Sequence, residues 1–201
     1  MIKFPNKLFF VSILPSTILY LAILYISNFY NIKLSLVVRD LAQTCGYPIG
    51  VGMISNIGIL LWGAAASICF FTTFLEGINR ESSKLVLLGG IFSSLLCIDD
   101  LFLLHDRYLG PDFMNLTYLA ISIFLLVRFR RILKIIGIFN LLISILFLGL
   151  SVFFDGVIQQ ILNQSYELTQ LIEEGFKFIG IVCWLNFWCK ASSNALKFGN
   201  S

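Results

Sequence analysis

Six long runs of apolar residues, separated by short polar segments, constrain most strongly what this chain can fold into. A helix needs about 20 apolar residues to cross the hydrocarbon core of a bilayer. The intervening segments, at most on the order of 20 residues, are too short for a water-soluble domain of ordinary size. The sequence therefore predicts a single all-α transmembrane helix bundle over residues 1–201, with no soluble domain and with six spans at about residues 8–30, 50–75, 85–104, 115–127, 135–154 and 167–189.

The overall composition agrees with a membrane location. Hydrophobic residues make up 58% of the chain and charged residues 12%, whereas soluble domains have about 25% charged residues. The run from Leu8 follows Lys3 and Lys7 as a secretion signal would, but it is longer than a signal and has no small-residue cleavage site. We interpret this run as a retained first helix.

The positively charged residues predict the orientation of the bundle. Lys and Arg are enriched in cytoplasmic loops, and a cytoplasmic N-terminus places ten of them inside and three outside, with both chain termini in the cytoplasm. Because these residues flank the spans, the net charge of +3 indicates topology and predicts no nucleic-acid partner. The inner residues are Lys3, Lys7, Arg80, Lys84, Arg128, Arg130, Arg131, Lys134, Lys190 and Lys197, and the outer ones are Lys33, Arg39 and Arg107.

The third predicted span ends in an unusual group of ionisable residues. Asp99 and Asp100 are adjacent carboxylates, and the single histidine of the chain, His105, and Asp106 follow them. At about 100° per residue Asp99 and Asp106 share a helix face, while Asp100 and His105 point elsewhere. Other helices must therefore complete any site built around this group.

Further carboxylates fall on the same, outer side. Asp155 ends the fifth predicted span, Glu173 and Glu174 begin the sixth, and Lys177 follows them closely enough to neutralise one glutamate within its own helix. A charged group at mid-depth in a span costs about 2.5–3.5 kcal/mol, so the surplus negative charge calls for water, protonation or a bound cation. The predicted metal ligands are Asp99, Asp100, His105, Asp106, Asp155, Glu173 and Glu174.

The residue types allow several kinds of chemistry. Carboxylates with one imidazole suit Mg, Ca, Mn, Fe or Zn, so we expect one divalent metal ion whose identity is left open. The same residues suit proton relay or a cationic substrate. If the site is catalytic, His105 and Asp106 are the candidates for acid–base work beside a metal-bound water. The structural alternative is that these side chains are capped and salt-bridged and only end their helices.

Three segments, Met53–Trp62, Asp99–Asp106 and Glu173–Gly180, resemble an uncharacterised family of small bacterial membrane proteins. The likeness covers most of the chain and implies a shared architecture and polar cluster in a bacterial inner (plasma) membrane. The pair Ser55 and Asn56 also resembles the alkaline ceramidase group of membrane hydrolases, whose zinc site uses three histidines. With one histidine in the chain, a hydrolase of this kind would hold its metal mainly by carboxylates.

The function predicted first is the binding of a cation in an outward-facing pocket of acidic residues and histidine. Three alternatives stay open: a metal-dependent hydrolase of lipid-like substrates, a proton- or cation-coupled transporter, and a non-catalytic assembly or interaction subunit. Few polar residues beyond Asn140 and Asn186 lie in the cytoplasmic halves of the spans, which disfavours a transport path. The expected partners are the lipid bilayer and a lipid-like or cationic ligand. The sequence leaves enzymatic activity and oligomeric state open.

Overall fold

The computed structural model describes residues 6–33, 37, 44–48, 50–75, 78–155 and 166–199. The elements formed by these residues are all helical, which confirms the predicted all-α class. A short π-helical turn, His105–Leu109, lies between two of the longer helices. The helices are α1 (Asn6–Phe29), α2 (Met53–Thr73), α3 (Arg80–Phe102), α4 (Pro111–Arg128), α5 (Arg130–Ile136), α6 (Phe139–Phe153) and α7 (Tyr166–Gly199).

The chain divides into two compact units, Met1–Val51 and Gly52–Ser201. The first unit contains α1, whose described side chains begin at Thr17 and are mostly exposed. Within α1 the Ser27 hydroxyl donates a hydrogen bond of 2.7 Å to the carbonyl of Ile23, so this polar group is satisfied inside its own helix. The second unit contains α2 to α7 and the hydrophobic core.

Among the described residues, three helices, α2, α3 and α4, are long and apolar enough to cross a membrane. The pair α5 and α6 supplies a fourth candidate span, although its two helices meet at a bend of 105°. Gly137 allows this bend because its φ of 95° lies in the region that favours glycine. The predicted fifth span, 135–154, is therefore not one straight helix. The described part of the chain is all-helical, with three helices, or four if the bent pair is one span, that could cross a membrane.

Helix ends differ from the predicted ones where local capping decides them. The side chain of Asn79 accepts a 2.9 Å hydrogen bond from the N–H of Glu81, so α3 begins at Arg80 and not at residue 85. Pro111 occupies the first turn of α4, where its missing N–H is harmless. α7 continues to Gly199, past the predicted end at residue 189, because no proline or earlier glycine follows Lys190.

α7 packs antiparallel to α3 between Gly89 and Asp100. The order of the contacts defines this arrangement, because positions that come later in α3 contact positions that come earlier in α7. α2 also runs antiparallel to α3, as does α6 to α7, where the hydroxyl of Ser144 donates to the carbonyl of Gly180 at 2.8 Å. The α3 to α7 contacts are Asp100 with Lys177, Ser93 with Trp184, and Gly89 with Trp188.

Aromatic side chains form the centre of the core. Trp184 packs edge-to-face against Trp62 with 5.7 Å between ring centroids, against Trp188 at 5.6 Å and against Phe92 at 5.3 Å. Such pairs contribute about 0.5–1.5 kcal/mol beyond the burial of their area. These contacts fix the register of α2, α3 and α7, and with it the placement of the carboxylates at the end of α3.

The second unit has two ends of different charge, which we call the acidic end and the basic end. The acidic end is formed by the end of α3, the π-helical turn, the start of α4, the end of α6 and the early part of α7, and the basic end by the opposite ends of these helices together with α5. Glu81 and Arg128 form an ion pair of 2.9 Å at the basic end. The basic end carries Arg80, Lys84, Arg128, Arg130, Arg131, Lys134 and Lys190, and the acidic end carries Asp99, Asp100, Asp112, Asp155, Glu173 and Glu174.

Candidate functional site

Asp99 is the buried carboxylate of the acidic end, with only 3% of its surface exposed. Its Oδ1 accepts a 2.8 Å hydrogen bond from the main-chain N–H of His105. Its Oδ2 accepts one of 2.6 Å from the hydroxyl of Tyr118 and lies 2.9 Å from Nδ1 of His105. In the imidazole tautomer that has its proton on Nδ1, the ring donates a hydrogen bond to this oxygen. Three donors from two elements therefore surround Asp99.

The turn after α3 brings His105 onto Asp99. Leu103 adopts the left-handed conformation, with φ 52° and ψ 47°, and its N–H bonds to the carbonyl of Asp99. This conformation ends the helix, and the π-helical turn begins at His105. The prediction that His105 points away from Asp99 assumed a helix that continues through residue 104, and it is wrong because the helix stops at Phe102.

Asp100 points to a different set of partners from Asp99. The indole N–H of Trp62 in α2 donates a 2.9 Å hydrogen bond to its Oδ2. The ammonium of Lys177 in α7 lies 2.8 Å from its Oδ1, and both charged side chains are largely buried. Lys177 thus forms an ion pair between helices, whereas the sequence predicted a partner within its own helix. The carboxylate of Asp100 links α2, α3 and α7.

Four polar residues line a small pocket between α2, α3 and α7, which we call the polar pocket: Ser55, Asp100, Glu174 and Lys177. Its volume is about 10 Å³, which is the space of a single water molecule. Two carboxylates and one ammonium thus share this space, with the apolar side chains of Ile54, Phe178 and Ile181 beside them.

The structure brings together some of the predicted site residues and separates others. Asp99 meets His105, and Asp100 shares the polar pocket with Glu174. Asp155 is exposed after the end of α6, and Glu173 is half-buried on α7. The side chain of Asp106 lies outside the described part of the structure. Among the described residues no group of three or more His, Cys, Asp or Glu side chains is placed to hold a metal ion, so the seven-residue metal site stays a prediction.

Sequence reasoning missed two residues of the site, Trp62 and Tyr118. Each donates a hydrogen bond to one of the adjacent carboxylates. A buried tryptophan or tyrosine needs a partner for its N–H or O–H group. That requirement, applied to aromatic residues on helices beside the end of α3, is the signal by which they could have been found.

The described residues thus form an all-helical bundle whose apolar helices could cross a membrane, with a polar centre at one end. A family model described as a domain of unknown function (DUF8692) matches residues 13–191, and the chain belongs to this family. The predicted likeness to an uncharacterised family is confirmed in that form. No curated protein and no solved structure matches the chain.

Proposed function

We propose that this chain is a membrane protein that binds a small cation in the polar pocket, with carboxylate oxygens of Asp100 and Glu174 as ligands. The observation that supports this function is the charge balance of the pocket lining, in which two carboxylates face one ammonium, that of Lys177. A surplus charge inside a membrane protein is unfavourable unless it is paired, hydrated or neutralised by protonation. A bound cation would lower the free energy of this arrangement.

The dimensions and ligands of the polar pocket narrow the choice of cation. A volume of about 10 Å³ accommodates one water-sized species, which favours a monatomic ion or hydronium over an organic cation. Carboxylate and hydroxyl oxygens are hard ligands, and Ser55 adds such an oxygen. Lys177 repels any incoming cation and competes with it for Asp100, so a singly charged ion is favoured over the divalent metal expected from the sequence.

The experiment measures the thermal unfolding midpoint of the detergent-purified chain in the presence of Na⁺, K⁺, Mg²⁺ or Mn²⁺ and across pH. A ligand at 100 times its Kd stabilises a protein by about 2.7 kcal/mol. We expect one cation to stabilise the wild type and Glu174→Gln to abolish that response. Asp155→Asn is the matched control. It removes one negative charge, as Glu174→Gln does, but from an exposed residue at the same end of the bundle.

Two results would contradict the proposed cation site. The first is a wild-type midpoint that none of the cations nor a change of pH raises. The second is a Glu174→Gln protein that responds to the cation as Asp155→Asn does. In either case the Asp100 to Lys177 ion pair would have a structural role, as expected for a non-catalytic assembly subunit.

We also propose the six-span topology with both termini in the cytoplasm of a bacterium. Its support is the packing of α7, which runs antiparallel along α3, a helix that is itself long enough to cross. α7 then covers the same depth of the membrane as α3, and α1, a helix of 24 residues, completes the count. The basic end faces the cytoplasm because positive residues are retained there, in this case at the inner (plasma) membrane.

One observation favours a second candidate, a membrane hydrolase of the kind suggested by the ceramidase likeness. Nδ1 of His105 contacts the buried carboxylate of Asp99, and such a contact fixes the orientation of an imidazole for acid–base chemistry. A transporter would use the same polar pocket as the proposed cation site. The cation titration described above therefore also tests the transporter hypothesis. The hydrolase hypothesis needs a separate test, namely a hydrolytic activity that is lost when His105 is replaced.

A further inference from the structure

A second, larger cavity lies at the basic end of the bundle, between the start of α3, α5 and the last part of α7. Its volume is about 450 Å³, within the range of about 300–1,000 Å³ usual for small-molecule sites. Its walls include the apolar side chains of Leu85, Ile132 and Ile135. Its rim includes the polar side chains of Asn79, Ser82 and Asn194. We call this cavity the basic-end groove.

Cations cluster at the rim of the basic-end groove. Glu81, one of its lining residues, pairs with Lys84 at 2.8 Å and with Arg128 at 2.9 Å. Both basic side chains remain nearly half exposed, at 45% and 48%. A guanidinium has five N–H donors, so Arg128 retains donors for a second anionic group. The cluster of one carboxylate and two cations carries a net positive charge.

The short helix α5 adds to this charge. Because the chain bends by 105° between α5 and α6, α5 runs across the axis of α6, as an interfacial helix does beside a crossing one. Arg131 and Ile135 lie one turn apart on the same side of α5, and Ile135 lines the groove. A methyl group built on Gly137 would lie 2.8 Å from Nζ of Lys190, which places that ammonium at the end of α5.

We propose that the basic-end groove binds an anionic membrane phospholipid, with one acyl chain along its apolar walls and the phosphate at Lys84, Arg128 and Arg131. The apolar walls and the basic rim of the groove together favour this ligand. A free phosphate would leave the apolar walls unused, and a lipid without net charge would leave the excess positive charge of the rim unbalanced. Basic pockets between membrane helices on the cytoplasmic side bind anionic head groups in this manner.

The test compares retention of phosphatidylglycerol and phosphatidylcholine by the full chain, released from nanodiscs into native mass spectrometry. We expect the wild type to retain phosphatidylglycerol preferentially. Arg128→Gln removes one cation from the head-group site and is expected to weaken that retention about five-fold, the effect of one basic residue near an anionic lipid. Asn194→Trp fills the groove and is expected to lose the retained lipid.

The matched control is Arg107→Gln, which removes an exposed arginine at the acidic end and is expected to retain lipid as the wild type does. Ser82→Phe fills the groove from α3 and replaces Asn194→Trp if that variant does not fold. Equal retention of both lipids by the wild type would overturn the proposal. So would unchanged phosphatidylglycerol retention in Arg128→Gln and in the folded groove-filling variant, because the lipid would then bind the outer surface of the bundle.

Discussion

At the scale of single residues, Asp99 combines a buried carboxylate with three polar contacts. Its three donors come from His105 and Tyr118. Asp99→Asn removes the charge and presents an NH₂ group to a donor. We expect a loss of stability of about 1.5–3 kcal/mol, the usual contribution of a hydrogen bond to a charged group. The measurement is the unfolding midpoint in detergent at neutral pH.

A matched variant separates this effect from the loss of charge alone. Asp112 is exposed in the first turn of α4, also at the acidic end, so Asp112→Asn is expected to cost at most about 1 kcal/mol, the contribution of a charge near a helix N-terminus. Tyr118→Phe removes one donor and leaves the others in place, so its effect should lie between the two. An Asp99→Asn protein as stable as Asp112→Asn would show that the contacts of Asp99 with His105 and Tyr118 do not stabilise the fold.

The residues of the acidic end could be found from the sequence, but their pairing could not. Adjacent carboxylates followed by a histidine at the end of an apolar run mark Asp99, Asp100 and His105 without any structure. The contact between Asp99 and His105 depends on the left-handed conformation of Leu103. Leucine rarely adopts this conformation, so the turn could not be predicted from the sequence.

At the scale of helices, the approach of α3 to α7 depends on Gly89. The indole of Trp188 lies on the face of this glycine, so that an added Cβ would overlap the ring. Both residues are buried, which leaves the ring no free space into which to move. We expect Gly89→Ala to destabilise the bundle by about 1–3 kcal/mol, as overpacking does, measured by the same unfolding assay.

Gly149 provides the control for this substitution. It also lies inside a helix, α6, but nothing is within 4 Å of an added Cβ. Alanine is favoured over glycine by about 0.5–1 kcal/mol in a helix interior, so Gly149→Ala is expected to be neutral or stabilising. If both alanine variants were equally stable, the close packing of Trp188 on Gly89 would not hold α3 against α7.

The helices themselves follow from apolar periodicity and length, and each predicted span overlaps at least one helix of the structure. The breaks are harder to predict. Gly137 lies within a continuous apolar run, and nothing in its neighbours distinguishes a glycine that continues a helix from one with φ of 95°. The bend between α5 and α6 is decided by tertiary packing, in which Leu133 and Ile136 are buried.

At the scale of the whole molecule, basic and acidic residues lie at opposite ends of the second unit, and the orientation of these ends in a membrane stays a prediction. Counting Lys and Arg beside the apolar runs needs no knowledge of contacts, so this part of the architecture is accessible from the sequence. The number of crossings is less accessible, because α7 combines apolar and charged residues along 34 positions. Its antiparallel packing on α3 is what supports counting α7 as a crossing in the proposed topology.

The proposed topology predicts where reporters fused to the chain are active. Green fluorescent protein fluoresces in the cytoplasm, and alkaline phosphatase is active outside it. Fusions at the N-terminus, after Arg131 and after Ser201 are expected to fluoresce, and a phosphatase fusion after Gly110, at the acidic end, is expected to be active. The termini test whether the number of crossings is even: six crossings place them on one side, whereas an odd number such as five places them on opposite sides. Phosphatase activity after Arg131 would show instead that the basic end faces outward, against the retention of positive residues in the cytoplasm.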